Sequence, residues 1–281
     1  MILLLLVAAP AFADDAAITR LAGVSFTVAD LGKARQFYAD VLGLEEAFDL
    51  KDSAGKAQSA FFKVNDDQYL EFSPGEVENF RLDRVTLLAT DLQSVAAALK
   101  KQGISPGEPA KSADGNESFT IRDPDRTEIR FIRYLPGSKQ SEHRGKGLSD
   151  KRITDHFHHV GLAADNEAGS LAIFKEALGM REFSRGPMPV DIRWINLSVP
   201  GSSGDLLEFM IASSQPAAAR QHIGFEVSNI QQTYKQLTDR GLKQPSRPFP
   251  AAIGRWIWFI RDPNNIRIEF MGQPTDKQDA K

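Results

Sequence analysis

Four side chains in the back half of the chain have the types and placement to share one metal ion: His159, Glu208, His222 and Glu269. His159 opens His159-Val160-Gly161-Leu162, and His222 opens His222-Ile223-Gly224-Phe225 in the same way. Side chains on a strand alternate between its faces. If Val160 and Leu162, and likewise Ile223 and Phe225, pack beneath helices, both histidines face the other way. Glu208 interrupts the apolar run Leu206-Leu207-Glu208-Phe209-Met210, and Glu269 interrupts Ile266-Arg267-Ile268-Glu269-Phe270. An ionised carboxylate in such surroundings is costly to bury without a partner, and one divalent cation compensates both. Two imidazoles and two carboxylates, with open positions for water, suit Ni, Co, Zn, Mn or Fe(II). The chain has no cysteine, which excludes thiolate nucleophiles, disulfides and cysteine-type zinc sites.

The elements that must position these groups are one unit written four times. Val24, Phe26 and Val28 alternate as in a strand, Asp30 can cap a helix over Leu31 to Leu42, and Gly43 can end it. Strand-like stretches then follow around 45–50, 59–64 and 69–73. The same order recurs at Asp91 to Gly103, Asn166 to Gly179 and Asn229 to Gly241. Cap and glycine are 13 residues apart in the first and third copies and 12 in the second and fourth, which favours duplication over coincidence. Asp123-Pro124-Asp125 and Asp262-Pro263-Asn264 read as matching tight turns before a last strand.

The paired unit, the Phe37-Tyr38…Leu42-Gly43 helix end and the Asp262-Pro263…Glu269 final strand resemble the vicinal oxygen chelate superfamily. That group includes glyoxalase I, extradiol ring-cleaving dioxygenases, methylmalonyl-CoA epimerase and bleomycin-resistance proteins. The resemblance covers about residues 20 to 273. It implies an α+β fold in which four βαβββ units pair into two domains, each a curled mixed sheet enclosing a cavity. It also implies metal ligands on the first and last strands of each unit, the positions of His159, Glu208, His222 and Glu269. A His-Glu-His-Glu set is similar to that of metal-dependent glyoxalase I. The expected organisation is a first domain over 20–135, an exposed linker over 136–154, a second domain over 155–273 and a polar tail over 274–281.

In the first half the corresponding positions are Gly23, Glu71, Arg84 and Arg130. One carboxylate opposed by two guanidiniums cannot hold a cation. Glu71 is expected to pair with Arg130 or Arg84, the alternative being that the arginines receive an anionic ligand. Pairing of consecutive units keeps the four ligands of the second half together, whereas a swapped pairing divides them. His158 shares the parity of Val160 and is expected on the helix side, with His156 near the entrance and His143 solvated in the linker. Trp194, Trp256 and Trp258 read as core or cavity wall.

Three functions fit this pattern. The first is lyase or isomerase chemistry of glyoxalase or epimerase type, with Glu208 or Glu269 serving as both ligand and base. The second is an extradiol-type dioxygenase using His159, His222 and Glu269, against which stand Glu208 in place of a catalytic histidine and Phe259 in place of a tyrosine. The third is binding and sequestration of a small molecule without turnover. The expected partner is thus a small-molecule substrate or ligand, chosen by loops such as 185–189 and 246–254. Net charge is −3 with no long run of one sign, so nothing points to nucleic acid. The apolar run Ile2 to Ala9 is too short to span a bilayer, and with Ala11-Phe12-Ala13 after it reads as a secretory signal cleaved after Ala13. That reading places the mature chain in the periplasm or outside the cell, without a stable membrane anchor; the family resemblance implies a monomer or homodimer.

Overall fold

The computed structural model describes residues 17–77, 82–188, 192–202, 204–212, 216–243, 246–251 and 254–273. The expected signal over Met1 to Ala13 and the tail 274–281 lie outside the described residues, as do parts of both substrate loops. No helix among the described residues is long and apolar enough to cross a membrane.

The first half forms one eight-stranded sheet from β1 (Ile18–Val28), β2 (Glu45–Lys51), β3 (Ala57–Lys63), β4 (Tyr69–Pro74), β5 (Leu82–Ala89), β6 (Ala110–Lys111), β7 (Glu117–Arg122) and β8 (Glu128–Arg133). The second half repeats it with β9 (His156–Ala163), β10 (Arg181–Met188), β11 (Ile192–Ser198), β12 (Leu206–Ala212), β13 (His222–Asn229), β14 (Phe249–Pro250), β15 (Trp256–Arg261) and β16 (Arg267–Gln273). The strand orders are the same, β2-β3-β4-β1-β5-β8-β7-β6 and β10-β11-β12-β9-β13-β16-β15-β14. The protein is α+β, with each sheet built from two consecutive units. β1 runs antiparallel to β5, and β9 to β13, so pairing is consecutive rather than swapped.

Each unit folds as its sequence dictates. Asp30 accepts from the Lys33 amide, Asp91 from Gln93 and Ser94, Asn166 from Gly169, and Asn229 from Gln232. The expected helix over 31–42 is α-helical only through Leu31–Gln36 and winds as a π-helix over Phe37–Val41. Its counterpart in the third unit changes in the same way, over Glu167–Leu171 and then Ala172–Ala177. Gly43 and Gly179 take the left-handed conformation that closes these helices, at φ 72° and 69°. In the Asp-Pro turns, Asp123 accepts from the Thr127 amide and Asp262 from the Asn264 and Ile266 amides.

One apolar cluster runs through both halves and includes Val24, Phe26, Tyr38, Phe131, Val160, Leu162, Phe225 and Phe270. The halves also exchange reciprocal hydrogen bonds. Asn264 accepts from the Asp30 amide, and Asp125 accepts from the amides of Asp165 and Asn166. Each post-proline turn thereby meets the helix start of the other half, as two copies related by a pseudo-dyad should.

The segment expected as an exposed linker is exposed only in part. It contains a short helix, Lys139–Glu142, and Ser138 and Gln140 are buried. The reason lies in Lys63, a fully buried ammonium whose Nζ donates to the carbonyls of His143 and Lys146 and pairs with Asp66. The linker backbone supplies acceptors that this charge requires. His143, expected in solvent, bonds the Lys139 carbonyl through Nδ1 and sets its ring against Phe48.

Candidate metal centre

Strand register brings the four candidate groups to one place. His222 stands opposite Gly161, and His159 opposite Gly224. On the flanking parallel strands, Glu208 is level with Gly161 and Glu269 with Gly224. Two diagonal pairs on four adjacent strands therefore point into the same concave face. One ligand atom from each of His159, Glu208, His222 and Glu269 lies within 4.8 Å of every other. His159 Nε2 is 3.2 Å from His222 Nε2 and 3.6 Å from a Glu269 oxygen. His222 Nε2 is 3.0 Å from Glu208 and 3.4 Å from Glu269. Both histidines and Glu269 are buried, while Glu208 is partly exposed.

The two glycines make this possible. A Cβ on Gly161 would stand 2.1 Å from the His222 ring, and one on Gly224 would stand 1.9 Å from the His159 ring. Each imidazole lies across the neighbouring strand in a space that only hydrogen leaves free. The sequence carried the signal as a repeated His-x-Gly, at His159-Val160-Gly161 and His222-Ile223-Gly224.

The distal nitrogens are held in turn. His222 Nδ1 is 3.0 Å from the Arg220 carbonyl, and His159 Nδ1 is 2.9 Å from His158 Nδ1. A histidine that donates through Nδ1 presents its Nε2 lone pair, so these contacts aim both lone pairs at one point. His158 is therefore on the ligand face, not on the helix side as parity alone requires. The cause is a register shift between Gly224 and Phe225, opposite which β9 gains a residue. Phe157 and Val160 both stay in the core, and His158 and His159 both turn inward. Burial, and then the neighbouring His159 and His156, lower the His158 pKa to about 3, so it is a neutral acceptor. His156 lies between Asp205 and Glu226, at 2.8 and 3.1 Å. Burial opposes its protonation, but these carboxylates raise its pKa.

Electrostatics bind the cluster tightly even without a cation. Burial disfavours a charge on His222, yet hydrogen bonds to Glu208 and Glu269 carry it up to about 9. Burial likewise disfavours ionisation of Glu269, yet the two imidazoles hold it well below the usual carboxylate range. The donor set fits a borderline divalent ion, which would displace the proton from His222: two imidazole nitrogens, two oxygens, short mutual distances and oriented rings.

The first half keeps the register and lacks the site. Gly23 stands where His159 does, Ser25 where Gly161 does, Arg84 where His222 does and Thr86 where Gly224 does. Of the two partners expected for Glu71, Arg84 takes it, at 2.7 Å, with Ser25 donating to the same carboxylate. Arg130 instead pairs with Asp114 at 3.2 Å and bonds Ser112, a partner that sequence proximity did not indicate. The small cavity beside Glu71 and Arg130 is closed in by Phe61, Tyr69 and Tyr134.

On the walls of the second cavity, Asn196 is opposite Glu208 and Phe259 is opposite Glu269, so both share the ligand face. Trp194, two residues before Asn196, lies across Gly186. Phe259 meets the His222 ring edge to face, and the Arg267 guanidinium lies 4.0 Å over the Phe259 ring. Trp258 is core, and its indole N–H donates to the Ser246 carbonyl.

Comparison with known proteins agrees with this architecture. The profile of the Glyoxalase/Bleomycin resistance protein/Dioxygenase superfamily matches twice, over residues 20–131 and 156–270. Among curated proteins none matches. A Mn(II)-bound glyoxalase from Novosphingobium aromaticivorans is similar in structure, with a TM-score of 0.65, 17% identity, and coverage of 91% of this chain and 82% of that one. The 2,3-dioxygenase LapB from Pseudomonas sp. KL28 has a TM-score of 0.67 at 17% identity, with 92% and 94% covered. The 2,2',3-trihydroxybiphenyl 1,2-dioxygenase from Sphingomonas wittichii also has a TM-score of 0.67, at 12% identity, with 94% of each chain covered. At these identities the likeness is one of fold.

Proposed function

Taking as premise that the chain belongs to the Glyoxalase/Bleomycin resistance protein/Dioxygenase superfamily, we propose that it is a metal-dependent lyase or isomerase. Its reaction is proton transfer beside a carbonyl, at a single centre in the second half. The observation that carries this reading is the convergence of two imidazoles and two carboxylates within 4.8 Å. Three of these groups are deeply buried, and the fourth, Glu208, is partly exposed.

His159, His222, Glu208 and Glu269 are the residues to hold the ion. A bound divalent cation supplies Lewis acidity to a pair of neighbouring substrate oxygens. The chain supplies the rest. Glu269, fixed by both imidazoles, serves as anchor. Glu208 is the better placed base, since its side chain is the more exposed of the two carboxylates, 16% against 9%. It takes the proton from the carbon next to the carbonyl and returns it to the same carbon or its neighbour. Phe259 and Trp194 keep water from the sides of the reacting carbon.

Ring cleavage could use His159, His222 and Glu269 as a facial triad. Glu208 beside them and Phe259, which brings no hydroxyl, favour proton transfer. The experiment is C–H exchange of small 2-oxo compounds in deuterated water, followed by NMR on protein loaded with Mn(II), Ni(II) or Zn(II). Exchange that Glu208→Gln abolishes while the ion stays bound supports the reading. Absence of exchange, with oxygen uptake on a catechol by the Fe(II)-loaded protein, overturns it in favour of ring cleavage.

A further inference from the structure

The cavity contains one strong charge that the proton-transfer reading does not use. Arg267 is two residues before Glu269 on β16, so the two side chains share a face about 7 Å apart along the strand. Its guanidinium is half-buried, stacked on Phe259, and donates one long hydrogen bond of 3.4 Å to the Ala219 carbonyl. It makes no ion pair among the described residues, unlike Arg84, Arg130, Arg220 and Arg255, each of which has a carboxylate. None of its nitrogens is sealed away without a partner, so the N–H groups that Ala219 does not take are accessible.

A half-buried cation without a counter-ion is unfavourable. At present it is offset at a distance by Glu269 and Glu208, while burial and the neighbouring Arg261 act against it. A divalent cation on those two carboxylates cancels their charge, two positive against two negative. Arg267 then stands as net positive charge on the wall, with a planar fork of donors suited to a carboxylate. Stacking on Phe259 holds the plane of that fork, which leaves its edge for bidentate bonding.

We propose that Arg267 selects the substrate, and that the substrate is a small organic anion bearing a carboxylate beside its chelating oxygens, a 2-oxo or 2-hydroxy acid. This rests on the metal-centre reading above and adds the substrate class to it. With an ion held by the four ligands, a carboxylate bound through one oxygen would have its other oxygen free for a donor about one strand repeat away, the place of Arg267. Phe259 and Trp194 accept the apolar remainder. Neutral dicarbonyls and catechols leave Arg267 unpaired and are disfavoured for that reason.

The experiment compares pyruvate with methyl pyruvate, which share the ketone and differ in the charge. Affinity is read from ligand proton relaxation by the Mn(II)-loaded full chain, with metal content measured on every sample. The expected result is that the parent prefers pyruvate, that Arg267→Met weakens pyruvate at least tenfold and methyl pyruvate less than threefold, and that Arg267→Lys keeps part of the preference. If the parent and Arg267→Met hold the ion and bind pyruvate equally, or if the parent prefers the ester, the assignment of Arg267 is wrong and the metal centre stands. If the parent holds no ion at these four ligands, the metal reading itself fails. Should Arg267→Met fold poorly, Arg267→Gln makes the same comparison, because the ion's own affinity for a carboxylate favours pyruvate in the parent and only the change on substitution reports Arg267.

Discussion

Gly224→Ala is the sharpest probe of the centre, because it adds one methyl group and replaces no ligand. Gly224 has strand geometry rather than a left-handed backbone, so alanine is not strained there by its own conformation. Its Cβ would be 1.9 Å from His159 Cε1, whereas ordinary contact begins near 3.4 Å. The ring must retreat by the difference, about 1.5 Å, against a tolerance of about 0.2 Å for metal–ligand bonds. His159 then leaves the set. Loss of a direct ligand should exceed the 10–100-fold effect of disturbing an outer partner, so metal affinity falls at least 100-fold. Metal-linked stability falls correspondingly, by about 2.7 kcal/mol at saturating metal. The first half provides the control on folding, since Thr86 occupies the equivalent register position within an intact sheet. The assay is competition against a chromophoric chelator, together with thermal unfolding with and without the ion. Expected are a metal-free melting temperature close to that of the parent and loss of the metal-induced shift. If Gly224→Ala bound the ion within threefold of the parent, His159 would not be a ligand and the diagonal register argument would be wrong.

Metal analysis should find one divalent ion per chain, lost in His222→Ala and Glu269→Ala and retained in Glu71→Gln, since Glu71 is occupied by Arg84 and Ser25. His158→Leu removes the acceptor on His159 Nδ1 and should weaken the ion about 10–100-fold, read by the same chelator competition. His156 makes a pH-dependent contribution: its folded pKa is raised, with Asp205 and Glu226 outweighing burial. That contribution is complete below the unfolded value of about 6.5 and is lost as pH rises through the folded value. His156→Gln should therefore cost about 1.5–3 kcal/mol in acid, where the charged hydrogen bonds exist, and progressively less in alkali; denaturant unfolding of the metal-free protein across pH measures it. An equal cost at all pH values would show that packing, not charge, is what His156 contributes.

The parts of the fold that depend on neighbouring residues were legible in sequence. Asp30, Asp91, Asn166 and Asn229 all cap helices, because capping needs only a short acceptor side chain beside free amides. Parity placed His159 and His222 correctly and failed one residue away at His158, because a bulge depends on the partner strand as well as on β9. The π-turns at Phe37–Val41 and Ala172–Ala177 carry no residue signature of their own. Of the two arginines expected at Glu71, Arg84 pairs with it, while Arg130 meets Asp114 from the turn before β7, whose placement is set by tertiary packing. Gly161 and Gly224 stand in the sequence as the last residue of each His-x-Gly, but the need for them lies in the ring of the neighbouring strand, which the local sequence does not contain.

The first half, with Gly23 and Arg84 at the positions of His159 and His222, still acts on the second-half cluster, through the strand that carries His159. The Phe157 amide donates to the Gln68 side chain, whose amide group in turn donates to the carbonyls of Phe157 and Leu21. Asp205, wholly buried, binds His156 with one oxygen and receives the Leu21 amide and Arg20 on the other. These contacts grip β9 at residues 156 and 157, immediately before the bulge that turns both His158 and His159 inward. A bulge is a local choice of which residue goes unpaired, and small shifts in strand register would send His158 to the helix side. The first half fixes that choice by bonding the backbone on one side of it, while Gly224 admits the ring on the other. A duplicated scaffold can thus lose the ligands from one copy and still need that copy, because what it contributes to the remaining centre is alignment rather than chemistry.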